Sequence, residues 1–240
     1  DYLTSHGLRV SIADSMSSQV FQQNYPEVIA EKLFLGESFL DKLSQFEVIF
    51  KTPGISPLKP ELVKAAKAGV IITSQIQEFM DLCPCKTVGV TGTKGKGTTS
   101  TIIFQILKAA GKDVYLGGNI GTPALSFVDG LTTDSIVVLE LSSFQLQLLK
   151  KSPNVGVMLN ITSEHLDYHK DTAEYRFAKA NLLKYQKQSD IAIINADYDV
   201  PMELSREGAG DKLYFSRYKE VPGCYVDGND KIILKYHDID

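Results

Sequence analysis

A chain of 240 residues with 43% hydrophobic and 22% charged side chains is long enough for two ordinary domains with buried cores. No apolar run approaches a membrane span, so no membrane partner is expected, and a formal net charge of -4 argues against a nucleic-acid binder, which needs a concentrated basic face. Cys83, Cys85 and Cys224 stand at no zinc-finger spacing and read as reduced thiols of a cytoplasmic protein, with Cys83 and Cys85 as a redox pair the lesser alternative.

The opening, DYLTSHGLRVSIAD, lacks the basic region and long apolar core of a signal peptide and reads as the end of a helix running into a strand. That strand, Leu8–Ala13, ends at Asp14, which either meets a ribose or sugar or caps a helix over Ser15–Gln23. Lys32–Leu35 and Glu47–Lys51 are further short strands, the second leading into Thr52-Pro53-Gly54-Ile55-Ser56-Pro57, whose prolines and glycine fix the backbone. Lys59–Ala68 predicts a helix with apolar positions Leu62, Val63 and Ala66 and a glycine stop at Gly69. Val70–Ile72 follows as a strand and Ser74–Leu82 as a helix capped by Ser74. Strands alternating with helices imply parallel sheet, so residues 1–82 are expected to form a partial Rossmann-like domain without its first strand and turn. Cys83-Pro84-Cys85 is the expected linker to a second α/β domain, 86–240.

The second domain opens on TVGVTGTKGKGTTS at Thr87–Ser100, read as a buried strand, a tight loop and a helix from Thr98 with an apolar face at Ile102, Ile103, Ile106 and Leu107. In such a loop backbone N–H groups meet the positive end of the helix dipole and form an anion cradle. Gly92, Thr93, Lys94, Gly95, Lys96, Gly97, Thr98 and Thr99 are the candidate phosphate contacts, with Lys96 reaching the outer phosphates and Thr98 or Thr99 offering a hydroxyl to magnesium. The strict GxxxxGK[ST] pattern fails twice, at Val90 and at Gly97.

Beyond the helix, Gly117–Pro123 forms a loop able to bring backbone N–H groups and the Asn119 amide to a ligand. Ser135–Leu141 is an apolar strand carrying one carboxylate, Glu140, near its carboxyl end, where ligands of open α/β sheets bind. Glu140 there is a magnesium ligand or, alternatively, a carboxylate in a buried helix cap. Val155–Asn160 is another buried strand, and His165, Asp167 and His169 lie just past it, where a second metal or a substrate is met. Ala173–Gln186 predicts a helix on which Lys179, by spacing alone, is a solvated lysine. Ile191–Asn195 is a strand whose last residue, Asn195, is a contact for a base or ribose. Leu213–Ser216, Cys224–Val226 and Lys231–Lys235 predict an antiparallel extension with a glycine turn over Asp227–Asp230.

Taken together, TPGI at Thr52–Ile55, GTKGKGTT at Gly92–Thr99, GGNIGTP at Gly117–Pro123, ELSSFQL at Glu140–Leu146, NITSEHLDYH at Asn160–His169, YRFAK at Tyr175–Lys179 and NAD at Asn195–Asp197 resemble the Mur ligase superfamily. Within it the match is to the branch that adds D-glutamate to UDP-N-acetylmuramoyl-L-alanine. The resemblance implies an N-terminal domain for the UDP substrate, a central ATP-binding domain and a carboxy-terminal domain that this chain does not contain. It further implies ATP and Mg2+ as cofactors and an acyl-phosphate intermediate. Lys96, Lys179 and His165 would then be catalytic, and Thr98, Glu140, His165 and a carbamylated Lys179 would hold magnesium. Thr52, Pro53, Gly54, Asn119 and Ser142 would face the UDP-linked substrate, and the protein is expected to act as a monomer. One position departs from the branch: its members place Ser or Thr directly after the loop lysine, whereas here Gly97 intervenes, as in folylpolyglutamate synthases. A ligase of that kind is the alternative, and a non-catalytic nucleotide-binding module is a third reading.

Overall fold

The computed structural model describes residues 2–162 and 171–235, and the chain divides into two compact units, Asp1–Thr73 and Ser74–Asp240. In the first, α1 (Tyr2–Ser5), β1 (Ile12–Asp14), α2 (Ser18–Asn24), β2 (Leu33–Leu35), β3 (Val48–Phe50), α3 (Pro60–Lys67) and β4 (Ile71–Thr73) follow in order. The expected parallel pairing is present, but as two separate two-stranded ladders, β1 with β2 and β3 with β4. Each is a strand–helix–strand unit. Asp14 does not cap α2. Its carboxylate accepts from the Met16 N–H, and the cap is Ser17, accepting from the Val20 N–H. The buried face of α3 is Leu62 and Ala65, whereas Val63 and Ala66 point outward, because three-residue spacing aligns Leu62 with Ala65 over Leu40, Leu43 and Val70. Gly69, at φ 94°, ends the helix in the left-handed conformation that a glycine stop requires.

The second unit begins with α4 (Gln75–Leu82), capped by Ser74 as expected. It groups with the residues that follow it rather than with those before Ser74. The Phe79 ring meets that of Phe127 edge-on, the Gln77 side chain accepts from the Lys150 N–H, and Lys151 Nζ donates to the Met80 carbonyl. The remaining elements are β5 (Lys86–Thr91), α5 (Lys96–Ala109), β6 (Val114–Gly118), β7 (Ile136–Glu140), α6 (Ser143–Leu146), β8 (Val155–Met158), α7 (Thr172–Lys184), β9 (Ile191–Asn195), α8 (Asp199–Leu204), β10 (Asp211–Ser216), β11 (Gly223–Val226) and β12 (Ile232–Lys235). Their strands form one eight-stranded sheet in the order β12-β11-β10-β9-β8-β5-β7-β6, parallel except for the terminal β11–β12 pair. Val90, Val137, Val138, Leu139 and Ile194 are sealed within it, which is why the strands read as apolar runs. In the β11–β12 hairpin the left-handed turn residue is Asp230, at φ 58°, rather than Gly228. The Asp227 carboxylate accepts from the N–H groups of Asn229 and Lys231 and winds the turn so that the reversal falls at position 230.

Because β5 lies between β7 and β8, the chain leaves its carboxyl end at the point where the winding of the sheet changes direction. A crevice opens there in sheets of this kind.

Candidate active site

The loop after β5 is built by glycines with different tasks. A Cβ on Gly92 would stand 2.7 Å from Leu159 Cβ and 3.1 Å from the Asn160 carbonyl, so only glycine lets the loop pass the end of β8. Gly95, at φ 84°, is the N-cap of α5 and brings no side chain to the helix end. The helix therefore starts at Lys96, two residues before the expected Thr98. Its first-turn N–H groups, which no side chain caps, form the positive pole of a 14-residue helix, suited to an anion. The buried face also differs from the expected one. Ser100, Ile103, Phe104 and Leu107 are the inward set, while Ile102 and Ile106 are 52% and 63% exposed.

Lys96 Nζ donates to the Thr93 carbonyl at 2.9 Å and is only part-buried, so the ammonium lies along the loop it is expected to serve. Thr93 is the loop's anchor. Its N–H donates to the Asn160 carbonyl at 2.7 Å, its hydroxyl accepts from the Thr162 N–H at 2.8 Å, and the same hydroxyl meets the Tyr175 hydroxyl at 3.1 Å. Lys94 and Thr98 are exposed, and Thr99 is half-buried.

Lys179 is not a solvated lysine. It is 1% exposed on α7, and its Nζ donates to the Gly92 carbonyl at 2.8 Å and the Thr91 hydroxyl at 3.2 Å, with the Tyr175 ring 4.9 Å away. The Thr91 hydroxyl in turn donates to the Leu141 carbonyl at 2.7 Å and ties β5 to the end of β7. Tyr175 and Lys179, four residues apart on one face of the helix, thus support the loop from beneath.

Glu140 ends β7 and is 5% exposed. Its backbone carbonyl accepts from the Asn119 N–H at 2.9 Å and its Oε1 from the Asn119 side-chain amide at 3.4 Å. Gly118, at φ 96°, makes that approach possible, since a Cβ there would sit 2.2 Å from the Glu140 carbonyl oxygen. The other carboxylate oxygen, Oε2, faces Gly97. Among the described residues no lysine or arginine pairs with Glu140. A buried carboxylate in that state calls for a cation, and a divalent ion beside the phosphate cradle fits. Among the described residues no cluster of three or more metal-ligating side chains forms. His165, with Asp167 and His169, lies outside the described residues.

The remaining expected residues are placed less directly. Ser142 caps α6 through a reciprocal pairing with Gln145, and that pairing occupies its hydroxyl. Asn195 ends β9, two strands from β5, and its side-chain oxygen accepts from the Asp197 N–H. In the other unit, Thr52, Pro53 and Gly54 follow β3, and their loop is braced by a residue the sequence reading passed over. Lys51 is 4% exposed and its Nζ donates to the Thr52 and Ile55 carbonyls at 3.0 and 2.6 Å. Burial lowers its pKa to about 8. Asn160 was also passed over. Its backbone carbonyl holds Thr93, while its side-chain oxygen is buried with no protein partner among the described residues. In sequence it stands as the end of a predicted strand and the first residue of NITSEHLDYH.

The family model for the Mur ligase middle domain matches residues 90–229, the stretch that contains the loop, Glu140 and Lys179. This chain belongs to the Mur ligase family. A model for the Mur ligase MurD-like N-terminal domain matches residues 1–74, ending next to the boundary between the two units. Among curated Mur ligases, the UDP-N-acetylmuramoylalanine--D-glutamate ligase of Clostridium botulinum (strain Langeland) is 43% identical over 209 residues, covering 87% of this chain and 46% of that protein. The protein of the same name from Clostridium novyi (strain NT) is 40% identical over 236 residues, covering 97% of this chain and 51% of that one. The chain spans about half the length of these relatives. Among solved structures it is similar to the UDP-N-acetylmuramate:L-alanyl-gamma-D-glutamyl-meso-diaminopimelate ligase from Neisseria meningitides, with a TM-score of 0.58 at 15% identity over 97% of this chain and 78% of that one. A murein peptide ligase from Psychrobacter arcticus gives 0.51 at 13% identity over 99% and 55%. These two likenesses show the Mur ligase fold.

Proposed function

We propose that the protein to which this chain belongs is an ATP-dependent ligase that joins D-glutamate to UDP-N-acetylmuramoyl-L-alanine in peptidoglycan precursor synthesis, acting in the cytoplasm as a monomer. The observation that carries the reading is the convergence of Lys96, Glu140 and Lys179 on one glycine loop in a chain more than 40% identical to ligases of that name. The γ-phosphoryl group of ATP passes to the alanyl carboxylate, giving an acyl phosphate and ADP. The D-glutamate amine then attacks the acyl carbon, the tetrahedral intermediate expels phosphate, and the amine loses a proton. The protein's share is alignment of anions that repel one another and neutralisation of charge in transfer.

In this reading Gly92, Thr93, Lys94, Gly95, Lys96, Gly97, Thr98 and Thr99 form the phosphate cradle, with Lys96 on the transferring group. Glu140 holds magnesium, assisted by His165. Lys179 acts as a carbamate, for which its buried amine is suitably enclosed, and Asn195 meets the nucleoside. Asn119, Ser142 and the Thr52–Gly54 loop serve the UDP-linked substrate. Magnesium supplies Lewis-acid polarisation of the phosphoryl oxygens. Gly97 keeps a folate-directed, L-glutamate-adding ligase as a second reading, and the MurD-like match over residues 1–74 favours the first.

The deciding measurement is phosphate release from ATP by the full-length protein. Release that requires both UDP-N-acetylmuramoyl-L-alanine and D-glutamate is the expected result; release with folate and L-glutamate instead selects the second reading, and none with either set selects a non-catalytic binding module. Lys96→Ala is expected to lower kcat by about a hundredfold or more.

A further inference from the structure

We propose that Gly97 opens one coordination position of the magnesium ion at Glu140 to water, a position that a side-chain hydroxyl fills where Ser or Thr directly follows the loop lysine. The inference rests on the ATP-ligase reading above. Its basis is local geometry. A Cβ at position 97 would lie 3.1 Å from Glu140 Oε2 and 3.9 Å from Ile120 Cγ2, so position 97 is the point of α5 that faces the buried carboxylate. Glycine puts no atom there. Thr98, the next hydroxyl along the chain, is turned about 100° further round the helix and is exposed. Thr99, one step beyond, is turned away again by the same increment.

This chain therefore differs from a standard phosphate loop in how the cation is held, although the loop keeps its lysine and its anion cradle. Glu140, assisted by His165, would hold the ion, and water would take the position that Gly97 leaves open. The two failures of the loop pattern are then unequal: Val90 lies inside a buried strand, whereas Gly97 faces the Glu140 carboxylate. Fewer protein oxygens around a hard cation mean weaker binding and easier exchange.

The test is Mn2+ binding to the full-length protein in the presence of ADP, followed by electron paramagnetic resonance, with native protein beside Gly97→Ser, Gly97→Ala and Thr98→Val. Gly97→Ser is expected to bind Mn2+ about tenfold more tightly, by adding one oxygen ligand, and Gly97→Ala to show no such gain. The contrast separates the hydroxyl from the bulk of a Cβ beside Glu140. Unchanged or weaker binding in Gly97→Ser overturns the proposal. So does a tenfold loss of Mn2+ affinity in Thr98→Val at saturating ADP, which would place the ligand hydroxyl at residue 98 and which decides the matter even where Gly97→Ser fails to fold. Absence of any ADP-dependent Mn2+ binding by the native protein removes the ATP reading itself, and this inference with it.

Discussion

The Nζ of Lys179 donates to the carbonyl of Gly92 over 2.8 Å, joining the middle of α7 to the first glycine of the loop across 87 positions of sequence. The same Nζ donates to the Thr91 hydroxyl and lies 4.9 Å from the ring of Tyr175, whose hydroxyl meets that of Thr93. Any change in the charge of Lys179 is therefore applied directly beneath the glycine loop. Lys179→Ala should lower kcat by at least about a hundredfold, and a short-chain carboxylic acid should restore part of it if the residue works as a carbamate. Undiminished turnover in the variant would remove Lys179 from the mechanism.

Gly118 is the next point of sensitivity. At φ 96°, with the Glu140 carbonyl oxygen 2.2 Å from where a Cβ would stand, Gly118→Ala must push the Gly117–Pro123 loop away from the end of β7. A stability loss of about 1–3 kcal/mol is expected from strain of this type. Thermal unfolding measures it, and the Asn119 contact with Glu140 should be lost at the same time. An unaltered Tm would mean that the loop yields freely.

Lys51 gives a pH signature. Its pKa falls from 10.5 to about 8 on burial, so below pH 8 the amine is charged in both folded and unfolded chains and folding carries the cost of that buried charge. Between pH 8 and 10.5 the unfolded chain binds more protons, and native stability rises with pH. Relative to Lys51→Met, the native protein should therefore gain about 3 kcal/mol over this window. Urea unfolding at several pH values tests it. A flat difference between the two proteins would show that Lys51 keeps its charge throughout.

Cys85 is expected to be inert. Burial, reinforced by the thiol of Cys83 at 3.5 Å, pushes its pKa up to about 12, and the thiolate is the reactive form. Iodoacetamide at pH 8 should leave Cys85 unmodified in the native protein and label it after denaturation, as read by peptide mass. Rapid native labelling would show that the half-buried thiol ionises more readily than this.

What could be read in advance follows how far each signal travels along the chain. The glycine loop, Glu140 at a strand end, the Ser74 cap and the Gly69 stop are local patterns, and the structure has them where the residues place them. The start of α5 is not legible because the helix begins at a glycine N-cap, which carries no capping side chain to announce it, and Ile102 and Ile106 lie outward because the sheet packs on the neighbouring face of Ser100, Ile103, Phe104 and Leu107. Lys179 reads as solvated because the groups that bury it, Thr91 and Gly92, come from the far side of the domain in sequence. Lys51 and Asn160 read only as the last residues of strands. Their roles are set by carbonyls and N–H groups that become available only when the chain has folded.

The fastening of α4 to the second unit also assigns a place in the unfolding hierarchy. Through Phe79, Gln77 and the Met80 carbonyl this helix is packed on the body that carries the glycine loop. Its amides should therefore exchange with solvent only when that body opens. A deuterium label on Phe79 or Met80 would report the cooperative unit of the body that carries the glycine loop, even though in sequence the helix stands ahead of Cys83–Cys85.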